Sequence, residues 1–192
     1  MPPDVLPRAP RPWTWLEQVH GADVVVVTEP GEHAGVAADA AVTAAPGCTL
    51  VLRTADCAPI VLLGEGAVGV VHAGWRGLVA GVLEAAVAAL RDLAGAAIEA
   101  RLGPCIHPCC YEFDGPGRAQ LVARVGPTAE GTTTWGTPAV DLPAAVAAEL
   151  ARLDVALTER SPGCTACSDR WWSHRARQEP QRLVAAAWLE QP

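Results

Sequence analysis

Seven short runs rich in valine, leucine and isoleucine occur along the chain, bounded by glycine, proline or aspartate. Runs of this length and composition, ended by turn-forming residues, are typical of β-strands. We predict strands at residues 23–28, 49–53, 59–63, 67–71, 98–102, 155–158 and 183–188. Because such strands bury their apolar side chains only against another layer, the chain must build sheet with a second layer packed on it.

Two segments show helical periodicity. Residues 78–94 place apolar side chains along one stripe, and Gly95 suits the end of a helix. Residues 143–153 begin with proline, which favours the first helical turn, and keep their leucines on one face. Residues 126–137 have the composition of a loop. The sequence therefore predicts an α/β or α+β fold with sheet at its centre.

The length of 192 residues predicts one compact domain with a sizeable hydrophobic core. Proline-rich residues 1–12 are expected to form an extended lead-in, which leaves residues 13–192 as the domain. The N-terminus lacks the basic start and apolar stretch of a secretory signal. We therefore expect a cytoplasmic protein.

The charge and the length of the apolar runs argue against two classes of partner, nucleic acids and membranes. The formal net charge is −7 and the basic residues are not clustered, which argues against nucleic acid as a partner. The apolar runs are too short to span a bilayer, so no membrane partner is expected. The composition favours a domain that acts on small molecules, as a monomer or homodimer.

The seven cysteines are an odd number in a chain without an export signal, so we expect reduced thiols rather than disulfides. Cys164 and Cys167 form a Cys-x-x-Cys motif, and Cys105, Cys109 and Cys110 form a second group. Together they suggest a structural zinc site. Neither group has a second Cys-x-x-Cys motif as a partner, however, and free cysteines commonly act as small buried hydrophobes. The sequence favours the latter interpretation.

Three metal-binding side chains stand beside predicted strands: His20, Cys57 and His72. Two histidines and one cysteine can form a three-ligand zinc site that leaves a fourth position open. Asp56 would orient a ligand histidine or act as a general base near bound water. Taken singly, each residue also has a structural explanation: a strand-edge histidine, a buried cysteine, or a turn aspartate that bonds its own backbone.

The segment His-Ala-Gly-Trp-Arg-Gly at residues 72–77 is the most specific of these motifs. It joins a predicted strand to a predicted helix, whose first N–H groups favour an anion. Arg76 offers a forked donor for phosphate or carboxylate, and Trp75 can stack on a planar ring. The alternative is that Arg76 pairs with a surface carboxylate and Trp75 packs in the core.

Several motifs follow one another in an order that resembles the laccase-domain family, also called multicopper polyphenol oxidoreductase-like proteins and now regarded as purine nucleoside phosphorylases. They are Gln-Val-His-Gly at 18–21, Ala-Asp-Ala at 38–40, Thr-Ala-Asp-Cys-Ala-Pro at 54–59, residues 72–77, Gly-Pro-Cys-Ile at 103–106, Tyr-Glu at 111–112, Asp-Leu at 141–142, Cys-Thr at 164–165 and Ser-His-Arg at 173–175. The resemblance covers residues 13–189.

The resemblance implies a layered α/β/β/α sandwich with mixed sheets. It implies that His20, Cys57 and His72 bind the metal, usually zinc, with copper possible in the same site. The chain is similar to an N-terminally shortened member, because the family has some fifty further residues before Gln-x-His-Gly. The family's Ser-Tyr-Arg-Arg is also altered here, although Arg175 is kept.

Three functional hypotheses follow. The first is phosphorolysis of adenosine, inosine or methylthioadenosine, together with adenosine deamination. Its catalytic residues are Cys57, Asp56 and Arg76, and its substrate-binding residues are Gln18, Trp75, Arg76 and Arg175. The second is a cysteine hydrolase of a cell-wall precursor or another amide, with Cys57 as nucleophile, His72 as base and Asp56 as the residue that orients the base. The third is a non-catalytic metal-binding module. Copper oxidation of phenols is disfavoured, because the five histidines and a single methionine, Met1, cannot build a multicopper centre.

Overall fold

The computed structural model describes residues 8–190, which form eleven strands and five α-helices. The strands are β1 Trp13–Trp15, β2 Val24–Val26, β3 Ala40–Thr43, β4 Thr49–Thr54, β5 Ala58–Gly64, β6 Ala67–Ala73, β7 Ile98–Leu102, β8 Glu130–Thr132, β9 Pro138–Val140, β10 Ala156–Arg160 and β11 Leu183–Trp188. The helices are α1 Trp75–Ala80, α2 Val82–Ala94, α3 Pro116–Val125, α4 Leu142–Arg152 and α5 His174–Arg177. None of the helices in this range is long and apolar enough to cross a membrane.

A six-stranded mixed sheet in the order β10-β7-β5-β6-β3-β2 forms the centre of the fold. The antiparallel hairpin of β5 and β6 lies in its middle and pairs Pro59 with His72. Every residue of β6 is buried, because layers cover both faces of this strand. A strand of this kind appears in the sequence as a continuous apolar run, which is why its position was predictable.

A three-stranded sheet in the order β1-β4-β11 packs on one face of the large sheet. Strand β4 is central, parallel to β1 and antiparallel to β11. Leu50 and Leu52 of β4 share a buried cluster with Val68 and Val70 of β6. The side chains of alternate residues on both strands therefore fill the space between the two sheets.

Helices cover the opposite face of the large sheet. Leu83 and Leu90 of α2 and Val146 and Leu150 of α4 belong to the main core, which includes Ile60 of β5. The layers over the described residues are therefore helices, large sheet and small sheet. The α+β class with mixed sheets is confirmed.

The seven predicted strands are all present, with bounds that shift by up to two residues. The predicted helix at 78–94 is instead two helices, α1 and α2, because Gly81 has a φ of 89° and breaks the first one. Residues 126–137 are only partly a loop, since they include a 3₁₀ turn at Pro127–Ala129 and strand β8. Helix α3 was missed because Leu121 is its only buried residue, so it has no apolar stripe.

Part of the predicted lead-in lies outside the described residues, namely residues 1–7. Residues 8–12 contact the small sheet. The side chain of Ala9 is buried, and the Pro10 carbonyl accepts a hydrogen bond of 2.8 Å from the Thr49 hydroxyl.

Helix α2 provides a matched test of this packing. Leu83 is fully buried in the core, whereas Leu93 on the same helix is 37% exposed. We expect Leu83→Ala to lower the free energy of unfolding by about 2–5 kcal/mol, because it removes contacts and leaves a cavity. Leu93→Ala should change it by roughly 0.5 kcal/mol or less, since surface substitutions rarely cost more. Urea denaturation of both variants measures the difference, and equal losses would contradict the assigned orientation of α2.

Candidate functional site

The sheet topology brings the three predicted metal ligands together. His72 lies near the end of β6, and Cys57 directly precedes β5, so pairing of the two strands makes them neighbours. His20 lies in the loop between β1 and β2 with a positive φ of 61°. Its Nε2 is 3.7 Å from the Cys57 Sγ, and its ring centroid is 4.9 Å from that of His72. One ligand atom from each residue lies within 4.8 Å of the others.

The shape and chemistry of this cluster fit a zinc ion. Zinc accepts imidazole nitrogen and thiolate sulfur at about 2.0–2.3 Å, in a tetrahedron whose fourth position stays open in catalytic sites. Gly74 leaves the necessary room, because a Cβ at this position would lie 3.0 Å from both the Cys57 Sγ and the His20 Cδ2. The three residues would thus hold the metal at the end of the central hairpin.

Asp39 connects the two histidines of this cluster through hydrogen bonds. Its buried carboxylate lies 2.8 Å from Nδ1 of His72, which leaves Nε2 of that ring for a metal. The same carboxylate accepts hydrogen bonds from the backbone N–H groups of Val19, His20 and Gly21 at 2.7–3.1 Å. One side chain therefore orients two ligand-bearing segments. The motif at residues 38–40 contained this residue, but sequence analysis assigned it no role.

The ionisation of the cluster favours the Cys57 thiolate, which is the form that binds a metal, and a His72 imidazolium, which must lose its proton before it can bind one. Burial opposes charge on Cys57, but hydrogen bonds with His20 and His72 outweigh it and lower its pKa to about 7. Burial also opposes charge on His72, yet hydrogen bonds with Asp39 and Cys57 raise its pKa to about 9. The pKa of Asp39 is lowered, because its bonds to His72 and to backbone N–H groups exceed the effect of burial. The metal-free site thus favours thiolate beside imidazolium.

Asp56 lies beside the cluster but faces a different set of partners. Its φ of 91° is unusual for a residue other than glycine. Its carboxylate accepts hydrogen bonds of 2.6 Å from the Thr165 hydroxyl and from the Arg175 backbone N–H. Asp39, and not Asp56, is the carboxylate that contacts His72. Asp56 instead joins two distant segments of the chain at the edge of the site.

Two predicted substrate-binding residues are engaged in contacts within the protein. The Gln18 amide donates to the Arg53 carbonyl at 2.7 Å and accepts from the Arg53 N–H at 3.0 Å. Trp75 packs against Phe113 at a centroid distance of 5.1 Å, and the Arg76 guanidinium lies 4.6 Å from its ring. Both residues still line the open pocket in front of the cluster.

The pocket has a volume of about 680 Å³ and contains every predicted site residue. Four arginines also reach it: Arg53, Arg76, Arg175 and Arg182. None of them forms an ion pair with a carboxylate of residues 8–190. In a chain whose net charge is −7, four guanidinium groups without a carboxylate partner among the described residues make this pocket suited to an anion.

Sequence analysis missed part of the pocket wall. Tyr111, Thr165 and His174 belong to motifs that were recognised, but no role was assigned to them. Tyr111 and His174 line the pocket, and Thr165 bonds to Asp56. The guanidinium of Arg175 lies 5.2 Å from the Tyr111 ring, so the aromatic and cationic parts of the wall are adjacent.

Comparison with known protein families agrees with this geometry. The family model described as multi-copper polyphenol oxidoreductase laccase matches residues 4–190. The chain belongs to this family. The match includes every residue of the pocket.

Relatives within the laccase family carry a different activity in their names. A purine nucleoside phosphorylase of Streptomyces coelicolor is 45% identical over 92% of this chain and 74% of its own length. A purine nucleoside phosphorylase of Xylella fastidiosa is 40% identical over 96% of this chain and 74% of its own. The solved structure of YlmD from Geobacillus stearothermophilus superimposes with a TM-score of 0.82 at 30% identity, over 93% of this chain and 74% of that one.

Asp39 and Asp56 provide a matched test of metal positioning. We expect Asp39→Asn to weaken zinc binding at the His20 cluster about 10- to 100-fold, because the His72 ring loses its carboxylate partner. Asp56→Asn should change zinc affinity far less, since Asp56 bonds to Thr165 and Arg175 instead. Competition with a chromophoric chelator gives both affinities, and circular dichroism checks folding. Equal weakening by the two variants would refute the distinct role of Asp39.

Proposed function

We propose that the chain is a zinc-dependent purine nucleoside phosphorylase that acts on adenosine, inosine and methylthioadenosine, with some adenosine deaminase activity. The observation that carries this proposal is the pocket with four unpaired arginines in front of the His20, Cys57 and His72 cluster. The names of the relatives support the same reaction.

Phosphate is the natural ligand of the cationic wall. Arg76 is exposed and has no carboxylate partner among the described residues, so its forked N–H groups are available to phosphate oxygens. Arg175 lines the same pocket, fixed by its backbone bond to Asp56 and by a side-chain bond of 3.1 Å to the Glu112 carbonyl. Phosphate held between such groups would attack C1′ of the ribose as the bond to the base breaks, and the departing base would take up a proton.

The cluster residues would hold zinc in the same pocket. Bound zinc supplies Lewis acidity and lowers the pKa of water toward neutrality. His20, Cys57 and His72 supply the ligands, and Asp39 fixes the ring of His72. Asp56 keeps Arg175 at the pocket wall, and its predicted role as a general base stays a prediction. Gln18 is a positioning residue in this proposal, because it ties the pocket loop to the backbone of Arg53.

A cysteine hydrolase is the second candidate. Cys57 has a pKa of about 7 and hydrogen-bonds to His72, which in turn contacts Asp39 at 2.8 Å. This thiol, imidazole and carboxylate sequence resembles the arrangement that activates nucleophilic cysteines. A metal at Cys57 would block this chemistry, so bound zinc distinguishes the two candidates.

Oxidation of phenols by a multicopper centre has no structural support beyond the family name. Among residues 8–190, the only clusters able to hold a metal are His20, Cys57 and His72, and a second one made of cysteines alone. His33 and His107 belong to neither. A coupled copper cluster requires many more imidazoles.

Arg76 tests the phosphate assignment. We expect Arg76→Lys to raise the phosphate concentration at half-maximal rate about tenfold to a hundredfold, because a charge-assisted bond is worth about 1.5–3 kcal/mol. Arg101→Lys is the control, since Arg101 pairs with Glu159 at 3.7 Å on the surface. Initial rates across a phosphate series measure both. An unchanged phosphate requirement in Arg76→Lys would assign Arg76 a structural role.

The reaction itself is tested with a nucleoside panel. With inosine and phosphate, zinc-loaded protein should form hypoxanthine and ribose 1-phosphate. With adenosine it should form adenine in the presence of phosphate, and some inosine and ammonia by hydrolysis. Chromatography separates these products. Oxidation of syringaldazine without nucleoside turnover would reverse the proposal, whereas turnover of neither would favour the hydrolase or a binding module.

A further inference from the structure

A second group of metal-binding side chains lies outside the proposed zinc cluster. Cys109, Cys110, Cys164 and Cys167 come from two segments more than fifty residues apart in sequence, yet their four sulfur atoms all lie within 4.8 Å of one another. Sequence analysis favoured buried cysteines at these positions. That interpretation suits Cys164, which is 8% exposed, and in part Cys109 and Cys110, which are half-buried and pack against the main core. It is wrong for Cys167, which is exposed.

The four sulfur atoms lie close enough together to share one metal ion. Cys167 Sγ lies 3.3 Å from Cys109 Sγ and 2.9 Å from Cys110 Sγ. A metal with sulfur ligands at about 2.3 Å separates them by roughly 3.8 Å in a regular tetrahedron. Both of these separations are shorter than this value and the other pairs lie within 4.8 Å, so the four sulfur atoms could reach such positions by side-chain adjustment. Both separations are also well beyond the covalent sulfur–sulfur distance of about 2.05 Å.

The backbone holds the two cysteine segments against each other. Cys105 and Cys164 form a β-bridge, in which the Thr165 N–H donates to the Cys105 carbonyl at 3.0 Å. The His107 N–H donates to the Cys164 Sγ at 3.4 Å, as expected for a sulfur that carries negative charge. The Cys109 carbonyl accepts from the Thr134 N–H at 3.0 Å. Backbone hydrogen bonds therefore hold both cysteine segments in place within the fold.

Cys105 and Cys48 differ from these four residues. Both are buried in apolar surroundings, and neither belongs to a cluster with other metal ligands. Burial raises the pKa of each thiol, which keeps it neutral. They behave as small hydrophobic side chains, so replacing one of them serves as a control for replacing a cysteine of the cluster.

We propose that Cys109, Cys110, Cys164 and Cys167 bind one zinc ion as a structural site, independent of the proposed nucleoside chemistry. Four thiolates in a tetrahedron select zinc or iron–sulfur chemistry among biological metals. Four cysteines converging on a single point fit one ion, and a closed set of four protein ligands is the form of structural zinc. The adjacent residues Cys109 and Cys110 would supply the second pair of sulfur ligands, in place of a second Cys-x-x-Cys motif.

This zinc would fix one wall of the substrate pocket. Tyr111 follows Cys110 directly and lines the pocket. Thr165 lies between Cys164 and Cys167, and its hydroxyl donates to Asp56 at 2.6 Å. Arg177 of α5 donates to the Ala166 carbonyl at 3.1 Å, which joins the cysteine loop to the helix that contains Arg175. A metal at the four cysteines would thus help to position Thr165 and Arg175, the two residues that donate hydrogen bonds to Asp56.

Metal content per chain tests the proposal directly. Protein purified under reducing conditions in a zinc-supplemented medium should contain about two zinc ions, one for each cluster. Cys57→Ala should retain about one of them, and Cys167→Ser should also retain about one, while the double variant should retain neither. Cys48→Ala is the matched control, and its zinc content should equal that of the wild type.

The ligands of the remaining zinc identify its site. X-ray absorption of Cys57→Ala should show four sulfur ligands at about 2.3 Å and no imidazole. This measurement needs no change to the four cysteines, so it decides the question even if Cys167→Ser does not fold. Absence of zinc from Cys57→Ala, iron in its place, or an intact mass showing a disulfide among these cysteines would each overturn the proposal.

Discussion

The carboxylate of Asp39 is the interaction on which the candidate site depends. It is wholly buried at the start of β3, where an unpaired charge would be costly. Three backbone N–H groups of residues 19–21 and the imidazole of His72 together satisfy it. Because these partners come from a loop and from a strand, the same bonds that make the charge tolerable also set the distance between His20 and His72. The bonds that stabilise this part of the fold are therefore the same bonds that position the predicted metal ligands.

Around this centre, one pocket contains side chains suited to ligands of opposite charge. The cluster offers a cysteine and two histidines to a cation, and four arginines that line the same pocket offer guanidinium groups to an anion. Five arginines elsewhere form ion pairs, as Arg124 does with Glu84 and Glu149. The four arginines of the pocket lack such partners among the described residues, although the chain has more acidic than basic residues. The clustering of these four guanidinium groups around one pocket is what points to an exchangeable ligand.

Much of the site was accessible from residue types and order alone. His20, Cys57 and His72 were predicted as ligands, and the structure brings them within 4.8 Å of each other, though the metal itself stays a prediction. The role of Asp39 was missed because an aspartate between two alanines has no distinctive local pattern. Helix α3 was missed for a similar reason, since it buries one leucine only. Hydrophobic periodicity identifies helices and strands that bury a whole face, and it fails for an element that buries a single side chain.

By itself, the sequence determined the seven apolar strands, the mixed α+β class and the chemical identity of the ligands, because these properties belong to short stretches of chain. Only the tertiary structure decided that Cys109 and Cys110 meet Cys164 and Cys167, and that four distant arginines share one pocket. Contacts between residues that are distant in sequence depend on strand order and register. No local sequence pattern predicts these contacts, because they follow from how the two sheets and the helices pack together.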